Sequence, residues 1–278
     1  MNLVTRTLAS SYLQTCLLMN ANFVLTPETT LNELYAIQNG VAPISTPTLG
    51  YFAIGNGGHK ITVGANGIPL TLPVQHAATD AALYNGLPFI LRPINNDIDT
   101  ASQANYALRR IETHGGNQYI AYYLKRLPVA GIAPTMQSIN TVNGVSTAAI
   151  YTPTSANLNP TPPALNSAGV NLVSGNYVAA SANMNIALSA NDVAELLNVA
   201  TVLYGDPAYA IISEVALCSG LDKVVQSATY GNATIPFKEA IAVQVISFIN
   251  TYFALSFNST GLDILLDCGS SEPLFSLV

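Results

Sequence analysis

The stretch FKEAIAVQVISFINTYFAL, residues 237–255, decides how this chain is read. Ile241, Val245, Phe248, Ile249 and Tyr252 recur at the three- and four-residue spacing of one helix face. Its Val-Ile and Tyr-Phe pairs would also tolerate a sheet, where β-branched and aromatic side chains pack well. We take the stripe as the stronger signal and expect a helix. The segments on either side are less ambiguous. Ser189-Ala-Asn-Asp192 opens a helix with a cap residue and an acid three positions on, Val193, Leu196, Leu197 and Ala200 form its stripe, and Gly205-Asp-Pro ends it. Residues 209–217 read as a strand, as do 262–267.

Towards the N-terminus, Val4, Leu8, Tyr12, Cys16 and Met19 follow helical spacing. Thr26-Pro-Glu supplies a start signal for a second helix, carried by Leu31, Leu34, Tyr35 and Ile37 and stopped at Asn39-Gly40. From residue 50 the period changes. Short apolar pieces at 51–54, 60–63 and 68–72 are separated by Gly-Asn-Gly-Gly and Ala-Asn-Gly, a hairpin signal, and the region reads as β-ribbon or as loops with strand-like arms. A helix is expected over 99–112, capped at Asp99 or Thr100, and a strand over 118–127. These elements make an α+β protein with a helical N-terminal region, a β-rich middle with a long uncharged loop or arm, and a mixed helix/strand C-terminal region. The divisions are 1–127, an α+β region; 128–188, the Pro/Asn/Ser/Thr-rich arm; and 189–278, a second α+β region that either joins the first as one domain or stands apart.

Only 9% of the residues are Asp, Glu, Lys or Arg, against roughly 25% in ordinary soluble domains. Residues 127–191 contain none of the four. Such a surface has weak electrostatic defence against association, and neutral groups cost less to desolvate than charges. We expect much of it to meet other protein, with an extracellular neutral surface as the alternative; the uncharged arm is expected to order against a neighbour, with a flexible linker as the alternative. Nucleic acid is not expected, because the basic doublets Arg109-Arg110 and Lys125-Arg126 read as internal ion pairs rather than a phosphate-binding stripe. No apolar run is long enough for a transmembrane helix, so no membrane partner is expected. Cys16, Cys218 and Cys268 are odd in number and lack metal-ligand spacing, so buried free thiols are expected.

The stretch Gly55-Asn-Gly-Gly-His-Lys60 has the look of a phosphate loop. A Walker loop needs Gly before the Lys and a hydroxyl after it, whereas His59 and Ile61 hold those positions. The stretch therefore reads as a turn. His59, His76 and His114 show no paired spacing, there is no nucleophile elbow, and Asp97 with Asp99 reads as helix capping. Asp263 and Asp267 sit close together without support for a cation site. No catalytic, cofactor-binding or metal-ligating residue is assigned, and no cofactor is expected. The fourteen tyrosines, with Tyr119, Tyr122 and Tyr123 crowded together after Tyr51, Tyr84 and Tyr106, are either contact residues or the edge of the core.

The segments Tyr51-Phe-Ala-Ile-Gly-Asn-Gly-Gly-His, Leu91-Arg-Pro-Ile-Asn-Asn-Asp-Ile and Ile212-Ser-Glu-Val-Ala-Leu-Cys-Ser-Gly resemble virion structural proteins of tailed bacteriophages. The resemblance implies a non-enzymatic, oligomer-forming subunit of a tail, baseplate or neck, made in the host bacterial cytoplasm, located in the virion and partnered by other virion proteins. A capsid or decoration protein is one alternative. A carbohydrate-binding protein or hydrolase acting on the host envelope is another.

Overall fold

The computed structural model describes residues 3–6, 30–37, 45–150, 170–257 and 260–277, with isolated positions at 10, 13, 14 and 17. Its regular structure is mainly antiparallel β, which corrects the α+β reading. Two compact units emerge: Met1–Pro128 with Leu188–Leu262, and Val129–Ala187 with Asp263–Val278.

The first unit is organised around the stretch that decides the fold, and there the helix reading is overturned. Thr234–Ala254 is a strand, β13, paired along its length with β12 (Ile211–Ala228) and flanked on its other side by β1 (Leu3–Arg6). A central strand covered on both faces carries apolar residues at consecutive positions instead of alternate ones. From Phe237 to Val245 almost every residue of β13 is buried. A helix-spaced subset can always be picked from such a run, so periodicity alone could not distinguish the two structures.

The hairpin of β12 and β13 is coiled. Three register shifts, between Ile212 and Glu214, Leu217 and Cys218, and Ser219 and Leu221, each place one extra residue on β13. They account for its 21 residues against the 18 of β12. Extra residues on one strand bend and twist the ribbon. At the third shift Ala242 adopts a left-handed φ of 52°, opposite Gly220, where a side chain would meet the Tyr51 ring at 2.9 Å.

Beside β12 lies β2 (Thr48–Gly55), and β2 leads to β8 (Asn117–Arg126). β2 and β8 pair only at Tyr51 with Arg126 and Phe52 with Lys125. The segment containing β5 (Gly86–Leu87) and β6 (Ile90–Pro93) pairs with β2 through the first and with β8 through the second. On its remaining edge β8 pairs with β7 (Tyr106–His114). The helix expected over 99–112 is therefore only α2 (Thr100–Gln103, numbered after α1 at Thr30–Leu34), capped by Asp99, whose carboxylate accepts from Ser102 N. The start signal was real. The chain then joins the sheet because Tyr106, Ala107 and Leu108 are buried there. α1 itself is short, and most of the expected first helix lies outside the described residues; where that region is described, Leu3–Arg6 is a strand and the isolated positions 10, 13, 14 and 17 are helical.

The one long described helix, α3 (Ala190–Tyr204), matches its sequence signals. Ser189 and Asp192 form the reciprocal capping box, and Gly205 takes the left-handed position at its end. Val193, Leu196, Val199 and Ala200 are buried, and Leu196 and Val199 border a small apolar space with Leu87, Ile212 and Leu255. The remaining core joins Tyr51, Leu91, Leu108, Leu124, Val243 and Phe248.

The second unit is a four-stranded sheet in the order β10-β9-β11-β14, from β9 (Thr135–Val142), β10 (Val145–Ile150), β11 (Val170–Leu188) and β14 (Leu262–Leu277). Much of the tract expected as an uncharged arm is thus strand. Asn143 and Gly144 both have positive φ, which suits the two-residue turn joining Val142 to Val145. The Pro-rich middle of the tract, 151–169, lies outside the described residues.

Candidate functional site

Strand β2 ends at Gly55, and β3 (His59–Val63) starts four residues later. The loop between them does turn the chain, as its sequence predicts, and it also encloses an anion. That anion is the protein's own Glu214. A side chain at Gly55 would come within 2.5 Å of Glu214 Oε1, and one at Gly58 within 2.4 Å of the Ser213 carbonyl oxygen. Glycine is required because the backbone packs directly onto β12. Glu214 Oε1 accepts from Gly57 N at 3.0 Å and Asn85 N at 2.9 Å. Oε2 accepts from Tyr84 N at 3.0 Å and lies 2.9 Å from His76 Nε2. Burial works to raise the Glu214 carboxyl, yet His76 and the three backbone N–H groups hold it below its ordinary value.

His76 extends the cluster. Its Nδ1 lies 3.0 Å from Asp80 Oδ2, which also accepts from Ala77 N. The imidazole is stacked between the rings of Tyr84 and Phe248, with centroids 4.1 and 3.8 Å away. Asn250, opposite Glu214 on β13, donates to the Val74 carbonyl at 2.6 Å. A carboxylate–imidazole–carboxylate chain is the raw material of proton relays. Here the His76 and Glu214 side chains have no exposed surface, while the Asp80 carboxylate is partly exposed. The cluster joins the glycine loop and the 74–85 segment to β12. It is a clamp.

Sequence reasoning left these three residues unassigned. The signals were a Glu inside the apolar run of β12, the i,i+4 spacing of His76 and Asp80, and the glycine loop. Each had an ordinary explanation by itself, and only the pairing of β2 with β12 brings them together. The other histidines are separate. His114 Nε2 lies 3.0 Å from Glu112, and His59 stands edge-on to Tyr252 with burial lowering its ring below the usual value.

The basic doublets form ion pairs, as their sequence context suggests. Arg109 is fully buried and donates to Asp97, Ser227 and the Ala228 carbonyl, while Arg110 makes a two-pronged contact with Glu239. Lys125 meets Asp192, and Arg126 meets Asp222. Burial tends to raise Asp192, but Lys125 and Ser189 hold it below its ordinary range. Asp99 caps α2 as expected, whereas Asp97 serves Arg109 and Tyr122. Asp263 accepts from Asn185. Among the described residues no His, Cys, Asp and Glu cluster has metal-binding geometry.

Of the tyrosines, Tyr51, Tyr106, Tyr122 and Tyr123 belong to the core, so the 119–123 segment is mainly structural. Tyr84, Tyr204, Tyr209, Tyr230 and Tyr252 are exposed. Cys218 is a buried free thiol pushed up to about 12 by burial, and Cys268 is half-buried. Cys16 lies outside the described residues. No helix among those residues is long and apolar enough to cross a membrane.

Exposed aliphatic residues concentrate on two sets of strands. In the first unit, β3 and β4 (Pro69–Pro73) pair, among the described strands, only with each other and expose Ile61, Val63 and Leu70, with Ile68 in the turn. In the second, Met136, Val142, Val145, Ile150, Val178 and Leu265 are exposed. Register places Met136, Val142, Val145 and Val178 on one face, and Met136 and Val178 border an open depression of about 420 Å³.

Residues 1–277 match the model of a family of unknown function, DUF7208, and the chain belongs to that family. No curated protein and no solved structure matches it.

Proposed function

We propose that this member of the family is a non-enzymatic structural subunit of a tailed-bacteriophage particle, in the tail, baseplate or neck, acting through protein–protein contacts. The observation that carries the assembly reading is the β3–β4 ribbon. An isolated two-stranded hairpin is marginally stable in water, and this one exposes Ile61, Val63, Ile68 and Leu70. Burial against a neighbour would remove that apolar surface from water at roughly 25 cal/mol per Å². The buried clamp and the inward ion pairs support the same reading, since the most elaborate polar chemistry of the described residues is occupied inside the fold. The placement in a phage particle rests on the sequence resemblance.

The test has two parts. Mass spectrometry of purified particles should find the chain at a fixed copy number. A subunit carrying Ile61→Asp and Leu70→Asp should fold, since both sites are exposed, and should be lost from assembled particles. Incorporation of that variant at the normal level would contradict the proposal.

A further inference from the structure

We propose that β10 is a self-association edge, on which a second copy of this chain pairs its own β10 antiparallel about a two-fold axis. This rests on the assembly reading and names one partner for it.

β10 ends the order of the four-stranded sheet, so among the described strands it has β9 on one side and none on the other. An edge strand presents a row of unpaired N–H and C=O groups along its free side. Natural edges are protected by Lys, Pro, inward charges or bulges. Val145-Ser-Thr-Ala-Ala-Ile150 has none of these devices: it has no charge and no proline, and it pairs with β9 from Val145↔Val142 to Ile150↔Gln137 without a register shift. All six of its residues are exposed.

Charge selects the occupant. Residues 127–191 include no Asp, Glu, Lys, Arg or His. A charged partner would find no counter-ion on β10 or β9, and its own charges would lose water without compensation. A second copy brings an identical neutral strand, so two-fold pairing sets no like charges opposite one another, and wherever residue i of one copy lies opposite residue j of the other, j lies opposite i. Antiparallel self-pairing is also the closed, isologous arrangement, which stops at a dimer instead of growing into a fibre. The pair would join two four-stranded sheets into one, with Val142 and Val145 of each copy brought near the new seam.

The test uses the full chain and a charge swap. Light scattering on a sizing column should show the mass of the wild type approaching double as concentration rises. Thr147→Lys with Ala149→Lys, on one face of β10, should give a folded monomer, as should Thr147→Glu with Ala149→Glu. An equimolar mixture of the two variants should recover a heterodimer that weakens with salt. A wild type that stays monomeric at every concentration overturns the inference, as does a lysine variant that dimerises like the wild type or a mixture that stays monomeric. Should the lysine variant fail to fold, the wild-type mass still decides. A monomeric chain that nevertheless enters particles sinks the β10 pairing alone, whereas a dimer never found in particles sinks the functional reading alone.

Discussion

The two units are built from the same charge-poor sequence, yet they handle it in opposite ways. The first turns its few ions inward: Arg109 meets Asp97, Arg110 meets Glu239, and Glu214 is enclosed by backbone N–H groups and His76. The second has no cationic residue, and among its described side chains only Met184, Ile186 and Ile264 are buried. A sheet exposed on both faces has little apolar burial to offset the conformational entropy of ordering it. The difference teaches that low charge is not one property. In one region it accompanies a finished core, and in the other a surface that is left for another chain.

Mutations in the first unit should therefore cost far more than mutations in the second. The largest effect expected is for Glu214→Leu, which strands the N–H groups of Gly57, Tyr84 and Asn85 and leaves His76 without its second carboxylate. Loss of one partner from a buried ionic network costs about 3–5 kcal/mol, readable by urea unfolding. Arg109→Met should approach the same range, because Asp97 and the Ala228 carbonyl lose their donor. If Glu214→Leu unfolds at the wild-type midpoint the clamp contributes nothing, and if both variants do so the contrast collapses.

Acid should act on the same groups. The folded carboxyls of Glu214 and Asp192 lie below their ordinary values of 4.5 and 3.8. A depressed carboxyl contributes stability that is fully present above its unfolded value and is lost as pH falls through the folded one. Stability should thus be flat in this respect near neutrality and decline below about pH 4.5, and the decline should be shallower in Glu214→Gln. An equally steep acid limb in that variant would remove Glu214 from the account.

Smaller effects sharpen the comparison. Ser189→Ala removes one arm of the α3 capping box and should cost about 1 kcal/mol. Ala242→Gly should stabilise by up to about 1 kcal/mol, since a left-handed φ penalises any side chain, with the melting temperature as readout. Val145→Thr in β10 should stay within about 0.5 kcal/mol for the isolated chain. A large loss there would show that the second unit has a core of its own.

Much of the local structure was legible in the sequence. The capping signals at Ser189 and Asp99 and the left-handed stop at Gly205 were found where expected, because they depend on neighbouring backbone groups. What they could not convey was length, and α2 yields to β7 within a few residues. The reading failed where a partner strand distant in sequence sets the outcome. Residues 237–254 form a strand because β12 pairs along one edge and β1 covers Ser247–Asn250 on the other, and no window confined to that stretch contains this information. The candidate site failed to show for the same reason: Glu214 lies 138 residues from His76 and 157 from Gly57. The glycine loop was read as a turn and the chain does turn there, but its requirement for glycine came from a carboxylate on another strand.

The central claim is that β3, β4, β9 and β10 are completed by other chains. Amide hydrogen exchange tests it most directly, comparing the dilute chain with the chain in its native assembly. The account predicts fast exchange along these four strands in the dilute chain and strong protection in the assembly, while β12 and β13 are protected in both. Full protection of the four strands in the dilute chain, or fast exchange that persists in the assembly, would contradict it.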